Sequence, residues 1–379
     1  MRTFGWSIIA ICIASLGLHA QEPAAPRRQA NAGKRSTPEP ALSWHDVKGW
    51  GLEGRAFGEM ERKNWFDRLP AAAEGKVTKA VWQLGQDTSG MLVRFKTDAT
   101  VIWANYQLRR PNLALPNITA IAASGLDLYA KDPKGQWRWA GVTRPNSKHV
   151  RQEIIKGMSP GMREYMLYLP IKNGIEKLEI GLPPDAKFEP VAPRTEKPIV
   201  FYGTSITHGA SASRPGMTHT AILGRRLDRP VINLGFSGNG RMDAAVGDLL
   251  VKIDAAVYVI DCLPNMNADA VRRKCIPLVK QLRAAKPDVP ILLVEDRRNT
   301  NSWLLPERNK HHDANHLALR ECMEKLKAEG ITGLHYLPGD ALLGDDGEAA
   351  TDGSHPSDLG FVRQADQFEP LLKACLAPK

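Results

Sequence analysis

Five prolines fall between residues 183 and 198, and the hydrophobic pattern differs on the two sides of them. Ahead of them, short stretches rich in β-branched and aromatic residues alternate with turns such as Asp132-Pro133-Lys134-Gly135. Residues 81–84, 91–95, 101–104, 126–129, 136–139, 165–169 and 177–180 read as strands, and about seven strands with frequent turns predict a β-sandwich. Behind the prolines, the apolar strands 199–202, 231–234, 256–260, 291–294 and 334–337 alternate with helical stretches near 217–228, 243–253, 268–286, 309–329 and 357–376. That rhythm predicts a parallel sheet covered by helices on both faces. Pro277 is expected to kink or split the third helix.

The ends of these later strands collect the residues that carry chemistry, because open parallel sheets bind ligands beyond the carboxyl ends of their strands. Gly203-Thr204-Ser205-Ile206-Thr207 closes the first strand, and Asn233-Leu234-Gly235-Phe236-Ser237-Gly238-Asn239-Gly240 the second. Asp261-Cys262-Leu263-Pro264-Asn265-Met266 follows the third, and Asp352-Gly353-Ser354-His355-Pro356 precedes the last helix. A serine hydroxyl is weakly nucleophilic at neutral pH and needs a base and an oxyanion site. Imidazole titrates near neutrality, so His355 suits the proton of Ser205. Asp352, three residues earlier, suits the other ring nitrogen. Glycines in the second stretch leave backbone N–H groups open to an oxyanion, and Asn265 adds an amide donor. No cofactor is called for.

Taken in this order, the four stretches resemble the SGNH hydrolase superfamily, also called GDSL esterases. The resemblance implies a flavodoxin-like α/β catalytic domain and maps the four named residues onto Ser205, Gly238, Asn265 and His355, with Asp352 completing the triad. The oxyanion hole it implies is formed by Ser205, Gly238 and Asn265. Gly125-Leu126-Asp127-Leu128-Tyr129 resembles the Gly-x-Asp-Leu-Tyr motif of the β-rich domain that precedes some bacterial members. Thr204 stands where the family's name motif has Asp, and Leu263 and Met266 replace the Gly and Asp of its third block. These changes bear on the pocket's shape rather than on the catalytic roles. Thr207 in place of a second glycine separates the site from the α/β-hydrolase elbow.

The domain reading is then a signal peptide over 1–20, a disordered Pro/Ala/Arg/Gln-rich linker over 21–42, a β-sandwich over 43–195 and the catalytic domain over 196–379. Arg2 before the apolar run 8–18, with Leu18-His19-Ala20 after it, predicts cleavage after Ala20 and a secreted or periplasmic protein. Bulky Ile11 argues against lipidation at Cys12. No later run approaches the ~18 apolar residues of a span, so stable membrane insertion is not expected. Net charge is +10, or +9 once Arg2 is removed with the leader. No Lys/Arg run is interleaved with stacking aromatics, so a solvated basic surface is favoured over nucleic-acid binding, with an acidic polysaccharide as the lesser alternative.

Other residues compete for roles. His312 and His316, four apart on a helix, come close to a zinc-protease pattern, but Asp313 stands where that pattern needs Glu. They read as surface histidines, and no metal is expected. His208 and His219 are rival bases without a carboxylate at Asp352's spacing. Arg214, in the loop after the nucleophile, is a candidate substrate contact. Cys262 reads as a small buried residue. Cys262, Cys275, Cys322 and Cys375 leave room for one or two bridges, which spacing does not assign. Asn117-Ile118-Thr119 fits a glycosylation sequon. Trp44, Trp50, Trp65, Trp82, Trp103, Trp137 and Trp139 could stack on sugars, although core filling is the commoner role. The expected activity is a serine esterase acting on an acylated carbohydrate. A lipid or thioester hydrolase of the same mechanism, or a non-catalytic carbohydrate-binding protein, are the alternatives.

Overall fold

A computed structural model describes residues 41–377. The predicted leader with its Cys12, and almost all of the predicted linker, lie outside the described residues. The proline-rich boundary separates two architectures. Before it run β1 (Ser43–Asp46), α1 (Lys79–Leu84), β2 (Leu92–Thr97), β3 (Val101–Leu108), α2 (Ala120–Ser124), β4 (Asp127–Lys131), β5 (Trp137–Val142), β6 (His149–Lys156), β7 (Arg163–Tyr168), β8 (Ile175–Leu182) and β9 (Phe188–Val191). Two antiparallel sheets, ordered β1-β8-β3-β6 and β5-β4-β7-β2-β9, face each other. Alternate residues of β3, Ile102, Ala104, Tyr106 and Leu108, point into the layer between them and meet Phe95, Leu128, Tyr165 and Leu167 of the other sheet. The sandwich is the one expected, with two differences in its strands. Residues 81–84 are helical, because Thr78 caps them through Val81 N (3.3 Å) and the adjacent Val81 and Trp82 are buried in one core. A strand would have pointed those two side chains to opposite faces. The strands β1, β6 and β9 had no clear apolar alternation, and Pro190 sits in β9 at a sheet edge, where a missing N–H is tolerated.

After the boundary come β10 (Ile199–Gly203), α3 (Ser205–His208), α4 (His219–Arg226), β11 (Val231–Gly235), α5 (Ala244–Leu250), β12 (Val257–Asp261), α6 (Ala268–Ala285), β13 (Ile291–Val294), α7 (Pro306–Ala328), β14 (Leu334–Leu337) and α8 (Asp358–Leu376). The strands form a parallel sheet in the order β11-β10-β12-β13-β14. Val200, Tyr202, Tyr258, Ile260 and Leu293 face α5, α6 and α7, whereas Phe201, Val257, Val259 and Val294 face α4 and α8. The strand order reverses at β10, so the switch point that opens a crevice lies at its carboxyl end. α6 runs unbroken through Pro277, because Pro277 and Arg273, whose carbonyl loses its partner, are both on the solvent side. Among the described residues no helix is long and apolar enough to cross a membrane. The four described cysteines are all free and buried, so the bridges that the sequence left open are not formed.

The described residues form one compact unit. Phe57, Leu69, Val77 and Trp82, all between β1 and β2, pack in the core beneath α5 and α6. Arg68 is fully buried and donates to the carbonyls of Asn233 (2.9 Å) and Gly235 (3.0 Å) on β11 and of Asp87 (2.9 Å) and Leu84 (2.6 Å). Asp127, of the Gly-x-Asp-Leu-Tyr stretch, accepts from Gly216 N (2.7 Å) and Arg214 Nη1 (2.9 Å). Burial raises the Asp127 pKa, and the nearby Arg214 only partly offsets this.

Candidate active site

The nucleophile loop is built from local rules. Thr204 is the N-cap of α3, accepting from Ile206 N (3.3 Å), and it is wholly buried. A threonine fills that cap as an aspartate does, which accounts for the departure at this position. Gly209 ends the turn at φ 106°. Ser205 Oγ lies 2.8 Å from His355 Nε2. His355 Nδ1 lies 2.8 Å from Asp352 Oδ2, and Asp352 Oδ1 accepts from the N–H groups of His355 (2.8 Å) and Ser354 (3.1 Å). Partial burial opposes ionisation of Asp352, but the hydrogen bonds from His355 and Ser354 outweigh it and hold the carboxyl below its ordinary pKa. An ionised Asp352 fixes the tautomer with the proton on Nδ1 and leaves Nε2 to accept from Ser205.

The oxyanion side is equally defined. Gly238 has φ 69°, a conformation that favours glycine, and it faces the same pocket as Ser205. Gly240 N donates to Asn265 Oδ1 (3.2 Å), which turns the Asn265 Nδ2 donor away from that bond and into the pocket. Gly240 sits against β10, where a Cβ would come within 2.1 Å of Gly203 O. Under the loop, Thr207 Oγ1 donates to Asp261 Oδ2 (2.9 Å), and Arg297 holds both Asp261 oxygens (3.0 and 3.1 Å) and Gln364 (2.8 Å). This buried network anchors the nucleophile turn to β12 and α8. Arg297 is remote in sequence from the other site stretches, and nothing in its local pattern marks it.

Other candidates go elsewhere. Arg214 does not line the pocket; it is committed to Asp127 and to Tyr129 OH (2.5 Å). His219 is stacked on Phe361 and Phe368 with neither ring nitrogen hydrogen-bonded, and burial brings it down to about 3, with Arg297 adding to the shift. His312 and His316 are buried rather than on the surface. Their ring nitrogens lie 3.0 and 2.7 Å from Asp296 oxygens, the other His316 nitrogen 3.2 Å from Glu295, and Asn299 N donates to His312 (3.3 Å). Each ring nitrogen of this cluster already has a protein partner, so the cluster is a hydrogen-bonded brace. Cys262 is buried, and burial pushes its thiol pKa up, away from nucleophile range. None of the seven tryptophans of the sandwich region lines the catalytic pocket.

That pocket measures about 430 Å³. Ser205, Gly238, Asn265 and His355 line one side; Leu115, Asn117 and Lys172, from the sandwich region, line another. Family models match both regions: the GDSL-like lipase/acylhydrolase family over residues 196–373, and the GxDLY N-terminal domain of SGNH-hydrolase-type esterases over 42–188. A crystal structure of a GDSL-like lipase from Bacteroides ovatus is 33% identical, with TM-score 0.84, covering 89% of this chain and 98% of that one. The chain belongs to the GDSL-like, or SGNH, esterase family. Its enzymes are carboxylic ester hydrolases, and the site described above is built for that reaction. More distant structures share the fold. The salicylyl-acyltransferase SsfX3 from a tetracycline biosynthetic pathway is 19% identical at TM-score 0.70, covering 88% of this chain and 97% of its own. A family two carbohydrate esterase from Cellvibrio japonicus is 12% identical at TM-score 0.57, covering 89% and 98%. No curated protein matches the chain.

Proposed function

We propose that this esterase removes short acyl groups, acetyl foremost, from a carbohydrate. The character of the pocket carries the reading. Asn117, Lys172, Ser237, Asn265 and Ser354 spread polar groups over the wall, with Leu115, Ile206, Ala210 and Pro264 between them, and no Phe, Tyr or Trp lines it. A hydroxyl-rich alcohol suits such a wall better than a lipid chain does. Export by the 1–20 leader would bring the enzyme to extracellular or periplasmic saccharides.

The chemistry follows from the geometry. Ser205 Oγ attacks the ester carbonyl while His355 Nε2, 2.8 Å away, takes its proton. The N–H groups of Ser205 and Gly238 and the Asn265 amide receive the oxyanion. His355 returns the proton to the departing sugar oxygen, leaving an acyl-serine. Water, activated by the same imidazole, then releases the acid. The test is kcat/KM on p-nitrophenyl acetate against longer acyl esters, with acid release from a panel of acetylated polysaccharides. A preference of at least about tenfold for acetate over octanoate, together with acetate release from a polysaccharide, is expected. Faster turnover of octanoate would overturn the carbohydrate reading. Failure of an organophosphonate to label Ser205 would overturn the serine mechanism.

A further inference from the structure

Among the described residues lining the catalytic pocket, Lys172 is the only lysine or arginine, and no aspartate or glutamate joins it there. It comes from the sandwich, in the connection between β7 and β8. Its backbone is pinned by Lys172 N donating to Ala123 O (3.0 Å) and by Arg110 Nη2 donating to Lys172 O (2.6 Å). Its ammonium donates to Ser237 Oγ on the catalytic side. No carboxylate among the described residues pairs with it.

The groups behind it deepen the imbalance. Arg68 spends its N–H groups on four carbonyls and on His208 Nε2 (3.3 Å), and Arg110 is paired with Asp87. His208 Nε2 lies 3.3 Å from both Arg68 Nη2 and Asp87 Oδ2, and its Nδ1 faces Ser237 Oγ at 3.3 Å. Burial, with Lys172 and Arg68 beside it, drives the His208 pKa well down, so that ring is neutral. Three cations, Arg68, Arg110 and Lys172, therefore share one carboxylate, Asp87. Ser237 Oγ accepts from Lys172 and lines the pocket beside it. Burial pulls Lys172 down to about 7; Asp87 opposes this, while Arg68 and Arg110 add to it. An anion beside the ammonium reverses that shift.

We propose that the Lys172 ammonium receives a carboxylate on the substrate, so that the preferred substrate is an acylated acidic sugar of the uronic type. An ammonium without a carboxylate partner, set where three cations share one buried carboxylate, matches an anionic group. The inference rests on the carbohydrate-esterase reading above. It makes Lys172 a specificity residue supplied to the catalytic pocket by the other region of the chain.

The test uses the full chain and a matched pair: a monoacetylated methyl hexuronoside and the methyl hexoside acetylated at the same position. The wild type should favour the acidic member by at least tenfold in kcat/KM. Lys172→Met should bring that ratio to near one, with KM for the acidic sugar carrying the change, and Lys172→Arg should keep most of the preference. Equal turnover of both sugars by the wild type overturns the proposal, as does a Lys172→Met loss that is the same on both. Acetate release from neither sugar, with p-nitrophenyl acetate still hydrolysed, overturns the carbohydrate reading and this proposal with it. A second measurement needs no variant: free glucuronate should inhibit p-nitrophenyl acetate hydrolysis with a Ki at least tenfold below that of glucose. Equal Ki values overturn the proposal.

Discussion

Two Ser–His–Asp groupings lie side by side in this protein, and only one has the geometry of a catalytic triad. In Ser205–His355–Asp352 both links are 2.8 Å, and the side chains are partly open to solvent, 24% for His355 and 42% for Asp352. In Ser237–His208–Asp87 both links are 3.3 Å, and the His208 and Asp87 side chains are 0% and 3% exposed. The ring is also turned round: Nδ1 faces the second serine, whereas Nε2 faces the first. Burial settles the matter: with Lys172 and Arg68 beside it, the His208 pKa is driven well down, so the ring is a poor base. An imidazole that resists a proton this strongly cannot serve its serine. Residue type and order therefore do not make a triad; the basicity of the imidazole does, and its surroundings set it.

The largest effect expected is at the serines themselves. Ser205→Ala should lower kcat/KM by roughly 10⁴–10⁶, since the triad acts as a unit. Ser237→Ala should cost no more than roughly tenfold, the worth of a lost hydrogen bond to substrate. Initial rates on p-nitrophenyl acetate compare the two, and comparable losses would mean that the second grouping is also a nucleophile site.

The acids separate the groupings by a different readout. Asp352→Asn should cut kcat by about 10⁴ through the wrong imidazole tautomer, while hardly changing stability. Asp87 is held down to about 2, its hydrogen bond with His208 and the charges of Arg110 and Arg68 outweighing the burial that opposes them. Removing that charge strands buried cations, so Asp87→Asn should cost about 3–5 kcal/mol in urea unfolding. An Asp87→Asn protein as stable as wild type would break the distinction between a working acid and a structural one.

What was legible in the chain divides along the same line. Asp352 and His355 are three apart, and the catalytic glycine and asparagine sit at strand ends, so local spacing exposes them. The parallel sheet and the sandwich follow from apolar runs and turns in the same way. The second grouping joins Asp87, His208 and Ser237 from both regions of the chain, and no local pattern links them. Arg214 looked like a free loop cation because Asp127, its partner, lies in β4. The burial of His312 and His316 was hidden because α7 is mostly polar, and its inner face is set by Glu295 and Asp296 at the end of β13.

Another buried histidine sharpens the comparison by removing the partners altogether. His219 is neutral in the fold down to about pH 3, while the unfolded chain takes up its proton below 6.5. The unfolded state thus binds more protons between those values, and stability falls as pH drops through that window, by up to about 1.4 kcal/mol per unit. His219→Leu should remove that share of the slope when urea unfolding is compared at pH 7, 5.5 and 4. An unchanged slope would mean that the ring is protonated among its phenylalanines.

The placement of Phe57, Leu69, Val77 and Trp82 under the catalytic sheet also bears on how the protein is made. The sandwich can close once β9 has left the ribosome, but these four side chains then still lack the strands that cover them. Val200, Tyr202, Ile232 and Leu234 of the same core follow roughly 120–150 residues after Trp82, a delay of roughly 6–30 s at the usual ~5–20 residues per second. During that interval the nascent chain carries an apolar strip of its own, and a holding chaperone or slowed translation would protect it. Synthesis therefore ends with the catalytic sheet folding onto a surface that its partner region has held open for it.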